Sequence, residues 1–267
     1  MSLNIIVLAK QVPDTRNVGK DAMKADGTIN RAALPAIFNP EDLNALEQAL
    51  RLKDANPGST VTILTMGLPR AAEVIREAIF RGADSGIVLT DRALGGADTL
   101  ATSYSLAQAV KKFGNYDLIL GGRQAIDGDT AQVGPQIAEH LGIPQITYAA
   151  AIDYDAEKNV TIVKRQFEDR YQTLQVSGLC LVTVLSSMGQ PRYMNVWDIV
   201  AQDSKEVGKI TFEDLDLDKA NIGLSGSPTK VKSTFTKQLD KTVETLELDA
   251  EQAAKVILDA LKSRHLI

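Results

Sequence analysis

Short apolar runs alternate with helix-like segments through the first half of the chain, and this alternation restricts the possible folds most. The runs occupy residues 5–9, 61–65, 86–89 and 116–120. Between them, apolar residues recur at helical spacing, as in Leu43, Leu46 and Leu50. Strand–helix units of this length predict a doubly wound α/β fold, in which a parallel sheet carries helices on both faces.

Two helix starts are marked by residues that suit a first turn. Asn39 can cap a helix, and Pro40 fits its first position. The acidic pair Glu41 and Asp42 favours the positive end of the same helix. Asp98 is the expected cap of a later helix that runs to residue 114. Both helices are expected to begin near the carboxyl edge of the sheet.

The pattern changes after residue 144. Apolar runs at 146–152, 160–166, 171–176 and 179–185 follow one another closely. They predict an antiparallel extension that finishes with a buried strand. A short helix is expected at 195–202. We therefore assign residues 1–202 to one α/β domain.

Residues 203–267 contain few apolar side chains before an amphipathic segment at about 249–263. Such a stretch cannot form a core of its own. We predict an extended C-terminal arm whose terminal helix packs on a partner. Docking of a loose tail on the chain's own domain is the alternative.

Composition excludes several classes of function. A formal net charge of −5 argues against nucleic acid or an anionic membrane as the main partner. The sequence lacks an apolar run of about 18 residues and a signal-peptide pattern, so we expect a cytoplasmic protein without membrane insertion. The single cysteine, Cys180, is expected to be buried and inert, and with two histidines it argues against a metal site. No nucleophile–base arrangement is present, so no catalytic residue is assigned.

Residues 121–135 form a polar, glycine-rich turn between a buried strand and a helix. Parallel sheets bind nucleotides at such turns. The spacing matches neither G-x-G-x-x-G nor a phosphate loop, so the turn is another kind of nucleotide loop or a tight turn without a ligand. Pro135 requires either that the helix starts near it or that the first helical turn is open.

The turn offers several contacts to a nucleotide. Backbone N–H groups of residues 128–133 can hold phosphates, and Arg123 can pair with their charge. Asp127 and Asp129 would repel phosphate, so we assign them to ordering the loop or binding ribose. Backbone groups near Ala9 and Met66 suit adenine. The candidate cofactor-binding residues are Ala9, Asn39, Met66, Thr90, Arg123, Gln124, Asp127, Gly128, Asp129, Thr130, Ala131, Gln132, Val133 and Gly134.

The loop at residues 122–129, together with Gln132 and Gly134, closely resembles the signature loop of electron transfer flavoprotein beta subunits. Other segments follow in the family's order, so that the resemblance covers roughly residues 3–200, and the arm is also similar. These segments are Ala9-Lys10-Gln11-Val12, Asn39-Pro40, Gly82-Ala83-Asp84 and Pro191-Arg192-Tyr193. The resemblance implies an adenine-nucleotide α-hydrolase-like fold.

The resemblance also implies partners. It implies a heterodimer with an alpha subunit that carries its own FAD, and electron exchange with an acyl-CoA dehydrogenase. The arm would embrace the alpha subunit. The candidate partner-recognition residues are Tyr193, Met194, Asn195, Val196 and Trp197. The residue pattern alone slightly favours a core position for Trp197.

Two branches of this family differ in the ligand of the nucleotide pocket. The housekeeping branch holds a structural AMP, whereas the bifurcating branch holds a second FAD, takes hydride from NADH and also supplies ferredoxin or flavodoxin. The housekeeping loop has a third acidic residue where this chain has Gly128, so the loop resembles the bifurcating form. Segment 95–102 does too, which places Gly96, Asp98 and Thr99 near NADH.

An alternative from another class is a stand-alone adenine-nucleotide sensor on the same fold. The long arm argues against it, because a self-sufficient sensor needs no partner-seeking tail.

Overall fold

One large sheet organises the fold. The computed structural model describes residues 2–14, 35–202, 207–230, 232 and 245–267. Its strands are β1 (Asn4–Ala9), β2 (Gln11–Pro13), β3 (Ala36–Phe38), β4 (Thr60–Met66), β5 (Ser85–Leu89), β6 (Leu118–Gly122), β7 (Gln145–Asp155), β8 (Val160–Gln166), β9 (Tyr171–Ser177), β10 (Cys180–Val184) and β11 (Gly208–Ile210). Its α-helices are α1 (Pro40–Ala55), α2 (Ala72–Phe80), α3 (Thr99–Phe113), α4 (Val133–Leu141), α5 (Val196–Gln202) and α6 (Ala250–Ser263).

The sheet order is β11-β5-β4-β1-β6-β10-β7-β8-β9. Strand β1 pairs in parallel with β4 on one side and β6 on the other. The chain therefore winds outward in opposite directions from β1, and the doubly wound α/β prediction is confirmed. Open sheets of this kind bind ligands at the carboxyl edge where the winding reverses, which here is the gap between β1 and β6.

The two faces of β1 point into two separate cores. Ile5 and Val7 belong to a core that is covered by α1 and α2. Ile6 belongs to a second core with side chains of α3 and α4. Successive residues of a strand face opposite sides, so both faces of this apolar strand are buried. The helices on either face fix the ends of β1 and β6.

The extension after α4 is antiparallel only in part. Strands β7, β8 and β9 pair antiparallel, as predicted. Strand β10 does not finish the extension but lies between β6 and β7 and is parallel to both. All five of its residues are buried, which fits a strand with covered faces. The apolar run of β10 predicted that the strand is buried, but it did not predict which strands lie beside it.

Two predicted helix starts are resolved by the structure. Asp98 caps α3, because its carboxylate accepts the N–H groups of Leu100 at 3.0 Å and Ala101 at 3.1 Å. Helix α4 begins at Val133, two residues before Pro135. Proline in a first turn costs no intrahelical hydrogen bond. The first of the two alternatives for Pro135 is therefore correct.

The compact part of the chain extends beyond the predicted boundary at residue 202. Strand β11 pairs in parallel with β5, and Leu215, Leu217 and Ile222 join the second core. The first compact unit includes residues up to 233. This difference arises because a few apolar residues, widely spaced in a polar stretch, are enough to dock a segment on an existing core.

The second compact unit, residues 234–267, contains α6. Asp249 caps the helix by accepting the N–H of Gln252 at 2.8 Å. Ala253, Val256 and Ile257 recur at helical spacing and share one face. Among the described residues, no helix is long and apolar enough to cross a bilayer.

Candidate functional site

A cleft of about 350 Å³ opens at the carboxyl edge of the sheet, where β1 and β6 diverge. It has a size typical of ligand sites, near the lower end of their range of about 300–1,000 Å³. The candidate residues that line it are Ala9, Met66, Asp98, Thr99, Arg123, Gln124, Gly128, Asp129, Thr130, Ala131, Gln132, Val133 and Gly134. Residues from five separate segments of the sequence therefore meet at one site.

Four candidate residues do not line the cleft. Thr90 is buried and lines a separate depression together with Arg76 and Lys209. Gly96 packs against Leu224, whose Cβ would lie 3.1 Å from a Cβ added at position 96. The other two, Asn39 and Asp127, hold the loop in place. The polar groups of Asn39 and Asp127, which we expected to contact a ligand directly, are bonded to neighbouring chain segments instead.

Asn39 acts from behind the cleft wall. It precedes α1 but makes no side-chain cap to the helix. Its amide instead donates to the carbonyl of Gln124 at 2.9 Å and accepts the N–H of Ile126 at 3.2 Å. Asn39 is fully buried, so these hydrogen bonds are shielded from water. The residue fixes the start of the glycine-rich turn relative to α1.

Arg123 is already paired within the chain. Its guanidinium lies 2.9 Å from Glu41 of α1, and Glu41 also accepts the N–H of Gln124 at 3.1 Å. The expected role of Arg123 was to pair with phosphate. In the structure, Glu41 offsets that charge, so Arg123 lines the cleft as one half of an ion pair.

Both acidic residues of the loop are held by neighbouring side chains. Asp127 forms an ion pair with Lys10 at 2.6 Å, and its side chain is only 17% exposed. Asp129 accepts a hydrogen bond from the amide of Gln124 at 2.8 Å. Both carboxylates are thus held by neighbouring donors that follow β1 or β6.

The second half of the loop presents backbone donors to the cleft. Asp129 and Ala131 have positive φ angles of 50° and 53°, an uncommon conformation for residues with a side chain. Two of the N–H groups that we expected to be free are not, because Gly128 and Asp129 donate to the carbonyl of Ala125 at 3.2 and 2.9 Å. Within the described residues, the N–H groups from Thr130 to Gly134 have no hydrogen-bond acceptor. The first turn of α4 begins here and adds the positive end of a helix dipole. This arrangement is suited to an anion such as a phosphate.

The glycines of the loop have different roles. A Cβ at Gly122 would lie 2.6 Å from the Asp42 carboxylate, and one at Gly134 would lie 2.8 Å from Thr183. Both positions therefore need glycine for close packing. A Cβ at Gly128 would meet nothing within 4 Å. Gly128 lines the cleft and leaves space beside the free donors.

The loop before α3 is held by a later segment of the chain. Ser227 accepts the N–H of Asp98 at 2.8 Å, and the Asp98 carboxylate accepts the N–H of Thr229 at 2.9 Å. Burial alone would raise the pKa of Asp98, but hydrogen bonds from Thr229, Ala101 and Leu100 outweigh it and lower the pKa. Asp98 therefore joins α3, the cleft and the segment that leads toward the C-terminus.

The candidate partner-recognition residues form an apolar surface patch away from the cleft. The exposed fractions are 94% for Tyr193, 68% for Val196 and 80% for Trp197. Met194 is also exposed, at 44%. The core position that the pattern slightly favoured for Trp197 is therefore wrong. Large exposed apolar groups that lie together usually mark an interaction surface.

This patch rests on a network of charged side chains around the buried carboxylate of Glu47. Glu47 of α1 accepts the backbone N–H of Arg192 at 2.9 Å and its Nε at 3.0 Å. Arg51 donates to Glu47 at 2.9 Å, and Asp54 binds the far end of Arg192 at 2.8 Å. Burial would raise the pKa of Glu47, but the hydrogen bonds from Arg192 and Arg51 hold it below its usual value. The backbone below the exposed aromatic residues is thus firmly anchored.

Comparison with known proteins identifies the family. An electron transfer flavoprotein domain matches residues 26–217. The electron transfer flavoprotein subunit beta of Clostridium acetobutylicum is 48% identical over 265 residues, covering 99% of this chain and all of that protein. The chain is an electron transfer flavoprotein beta subunit.

Two further relatives have names that mention complexes. The caffeyl-CoA reductase-Etf complex subunit CarD of Acetobacterium woodii is 44% identical over 266 residues, 99% of this chain and 100% of that protein. The acryloyl-CoA reductase electron transfer subunit gamma of Anaerotignum propionicum is 44% identical over 272 residues, with the same coverage. The resemblance derived from the loop motifs is therefore confirmed at the level of the family and subunit.

The single cysteine, which we expected to be buried and inert, lies in the core of the sheet. Cys180 is fully buried, and burial raises the pKa of its thiol to about 11. A thiol of this kind is neutral and unreactive at neutral pH. Within the described ranges, no cluster of three His, Cys, Asp or Glu residues could hold a metal ion.

Asp42 is the site residue that the sequence did not reveal. Its carboxylate accepts the N–H groups of Lys10 at 2.9 Å and Gly122 at 3.0 Å, and it lines the cleft. Burial raises the pKa of Asp42 from 3.8 to about 7, against the opposing effect of its hydrogen bonds. In the sequence it was one of two acidic residues at a helix start. The helix dipole accounted for both Glu41 and Asp42, so the sequence contained no separate sign that Asp42 lies in the cleft.

The raised pKa of Asp42 predicts a pH-dependent free energy of unfolding. Between about pH 4 and 7 the native state holds a proton that the unfolded state has released. The contribution of Asp42 is therefore complete below its unfolded pKa and is lost as the pH rises through 7. We expect the free energy of unfolding of the nucleotide-free chain to fall between pH 5 and 8 by roughly 1–3 kcal/mol more than that of Asp42→Asn, measured in urea. The same pH dependence of the free energy of unfolding in the parent chain and in Asp42→Asn would contradict this pKa assignment.

Proposed function

We propose that this beta subunit binds FAD in the cleft and works with an alpha subunit in NADH-dependent electron bifurcation. Electrons would pass to ferredoxin or flavodoxin and, through the FAD of the alpha subunit, to an acyl-CoA dehydrogenase. The observation that carries the proposal is the row of free N–H groups from Thr130 to Gly134 beside the open space at Gly128. A diphosphate needs both donors and room.

The residues of the cleft fit the adenosine diphosphate portion of FAD. Ala9 and Met66 line the end of the cleft that suits adenine, and the free donors of the loop suit the phosphates. A bound flavin would supply the redox chemistry, accepting a hydride and releasing electrons one at a time. The chain itself would supply binding, orientation and charge placement.

Asp98 and Thr99 would lie beside an approaching nicotinamide nucleotide. Both line the cleft at the start of α3, where Thr99 donates a hydrogen bond to Gln132 at 2.9 Å. This contact ties the two loops on either side of the cleft mouth. The proposed NADH approach rests on this position and on the resemblance of segment 95–102 to the bifurcating branch.

The relatives support the choice of partner. Two of them are named as subunits of a caffeyl-CoA reductase complex and of an acryloyl-CoA reductase. Both substrates are unsaturated acyl-CoA thioesters, which favours an acyl-CoA dehydrogenase as the partner of this chain. The amphipathic helix α6 would pack on the alpha subunit, because it cannot bury its own apolar face. We place the assembly in the cytoplasm.

A housekeeping role with a structural AMP is the second candidate. The size of the cleft, about 350 Å³, favours it, because AMP is the smaller ligand. The absence of an acidic side chain at Gly128 favours FAD, because a carboxylate there would face the phosphates. A stand-alone nucleotide sensor is less well supported, since the exposed aromatic patch has no use in a protein without partners.

The nucleotide content of the heterodimer decides between the two candidates. We expect the complex purified with its alpha subunit and saturated with FAD to release two FAD and no AMP on denaturation. Chromatography of the released nucleotides, normalised to protein, gives the count. One FAD and one AMP per heterodimer would establish the housekeeping role and overturn the bifurcating one.

Substitution at Gly128 tests the phosphate position. Gly128→Asp should reduce the FAD content of the beta subunit to less than half, because the new carboxylate would face the diphosphate. Gly128→Ala is the matched control, since its methyl group meets nothing within 4 Å and adds no charge. Thermal unfolding of both variants without nucleotide should match that of the parent. Unchanged FAD content in Gly128→Asp would refute the role of this position.

The exposed aromatic patch predicts a separate loss of function. Trp197→Asp should slow electron exchange with the acyl-CoA dehydrogenase at least tenfold, because large apolar residues dominate interface energetics. Flavin content should remain that of the parent, since Trp197 is 80% exposed. Tyr171→Asp, at the exposed β9 edge of the sheet, is the control. Loss of flavin in Trp197→Asp would mean that the segment supports the fold instead.

A further inference from the structure

Thr90 was expected to bind the cofactor, yet it lies in a second depression that none of the roles proposed above uses. This depression has a volume of about 320 Å³ and lies near the carboxyl end of β5. That volume falls within the range of small-molecule sites, about 300–1,000 Å³. None of the described residues that line it also lines the cleft. The depression is therefore separate from the nucleotide site.

Two strands form the floor of the depression, on the face of the sheet that α2 covers. Val88 belongs to the core beneath α2, and Thr90 follows it two residues later. Residues two apart along an extended chain share a face. Lys209 of β11 pairs directly with Val88, and Val207 packs against the same core. The ammonium group of Lys209 and the hydroxyl of Thr90 therefore belong to one face of the sheet.

Helix α2 forms the opposite wall. Ala72 and Arg76 are four residues apart, so both lie on the side of the helix that lines the depression. The guanidinium of Arg76 lies 3.9 Å from the carboxylate of Glu73, whose side chain is 70% exposed. An exposed carboxylate at this distance interacts only weakly with the guanidinium. Arg76 thus contributes positive charge to the wall.

The hydroxyl of Thr90 is the feature that indicates a ligand. The residue is only 6% exposed, and its backbone N–H donates to the carbonyl of Ile210 at 3.0 Å. Within the described residues, its side chain forms no hydrogen bond. The hydroxyl of Thr65 on β4 also lacks a partner in this part of the chain, but it is sealed from solvent, whereas that of Thr90 is not. A ligand in the depression would supply the acceptor that a buried hydroxyl requires.

The donors and the walls together define the chemistry of the ligand. Arg76, Lys209 and Thr90 all offer N–H or O–H donors, and two of them carry positive charge. Pro69 and Val207 are among the apolar residues around them, and apolar surroundings strengthen the attraction between charges. Three donors from separate elements suit a phosphate, which presents more acceptor oxygens than a carboxylate does.

We infer that this depression is a second ligand site, which binds the phosphate group of a small organic phosphate between Arg76, Lys209 and Thr90. The organic part of the ligand packs on the apolar walls that Pro69 and Val207 provide. The site is independent of the cleft, so it binds its ligand while the cleft holds a nucleotide.

Calorimetric titration of the heterodimer with phenyl phosphate tests the inference. The complex is first saturated with FAD and AMP, so that the cleft is filled, and ionic strength is held constant. Inorganic phosphate and benzoate are titrated in parallel. We expect phenyl phosphate to bind at about fivefold or more higher affinity than benzoate, because charge-assisted hydrogen bonds to the phosphate are more numerous. It should also bind more tightly than inorganic phosphate, since its ring contacts the apolar walls.

Three variants assign the binding to this depression. Arg76→Gln and Lys209→Gln should each weaken phenyl phosphate binding about fivefold or more, and Thr90→Val about threefold. Arg170→Gln is the matched control, because Arg170 lies outside the depression with a side chain that is 69% exposed, and it should leave the affinity unchanged. Thermal unfolding without ligand should match the parent in all four. Lys209 is exposed, so Lys209→Gln keeps the test valid if Thr90→Val fails to fold.

Four outcomes would overturn the inference. Phenyl phosphate that does not bind the parent complex would exclude the site. Unchanged affinity in both Arg76→Gln and Lys209→Gln would assign the binding to another part of the complex. An equal loss in Arg170→Gln would show that only the overall charge of the protein attracts the ligand. Benzoate that binds as tightly as phenyl phosphate would refute the recognition of phosphate. None of these results depends on which nucleotide the cleft holds.

Discussion

The site depends on the way the first turn of α1 holds the ends of β1 and β6. Asn39 fixes two backbone groups of the glycine-rich turn, Glu41 binds Arg123 and the next N–H, and Asp42 joins Lys10 to Gly122. These are polar contacts made in a largely buried setting, where each hydrogen bond is strong and each lost partner is costly. These contacts hold the loop in a conformation in which two non-glycine residues, Asp129 and Ala131, have positive φ angles.

The same helix also positions the exposed aromatic patch around Tyr193 and Trp197. Glu47 and Asp54 lie further along α1 and bind Arg192, which anchors the backbone below Tyr193 and Trp197. A 16-residue helix thus connects the cleft at its first turn with the exposed aromatic patch near its other end. Rigid placement of a binding surface relative to a cofactor is what distance-dependent electron transfer requires. The charged side chains that hold this backbone, Glu47, Asp54 and Arg192, all belong to the chain itself.

The loop before α3 has a comparable role on the opposite side of the cleft. Asp98 caps α3, and Ser227 and Thr229 of a later segment of the chain hydrogen-bond to it. This segment is thereby attached to the cleft wall.

The sequence alone determined the strand–helix alternation, the apolar faces and the glycine-rich turn, because period and turn chemistry are local properties. It also identified the family, since several motifs occur in the right order. Tertiary structure decided what depends on distant partners. The insertion of β10 between β6 and β7, the return of the chain at β11 and the exposure of Trp197 could not be derived from local pattern. The position of Asp42 belongs with these, because a carboxylate at a helix start becomes a buried acceptor only when two other strand ends close around it.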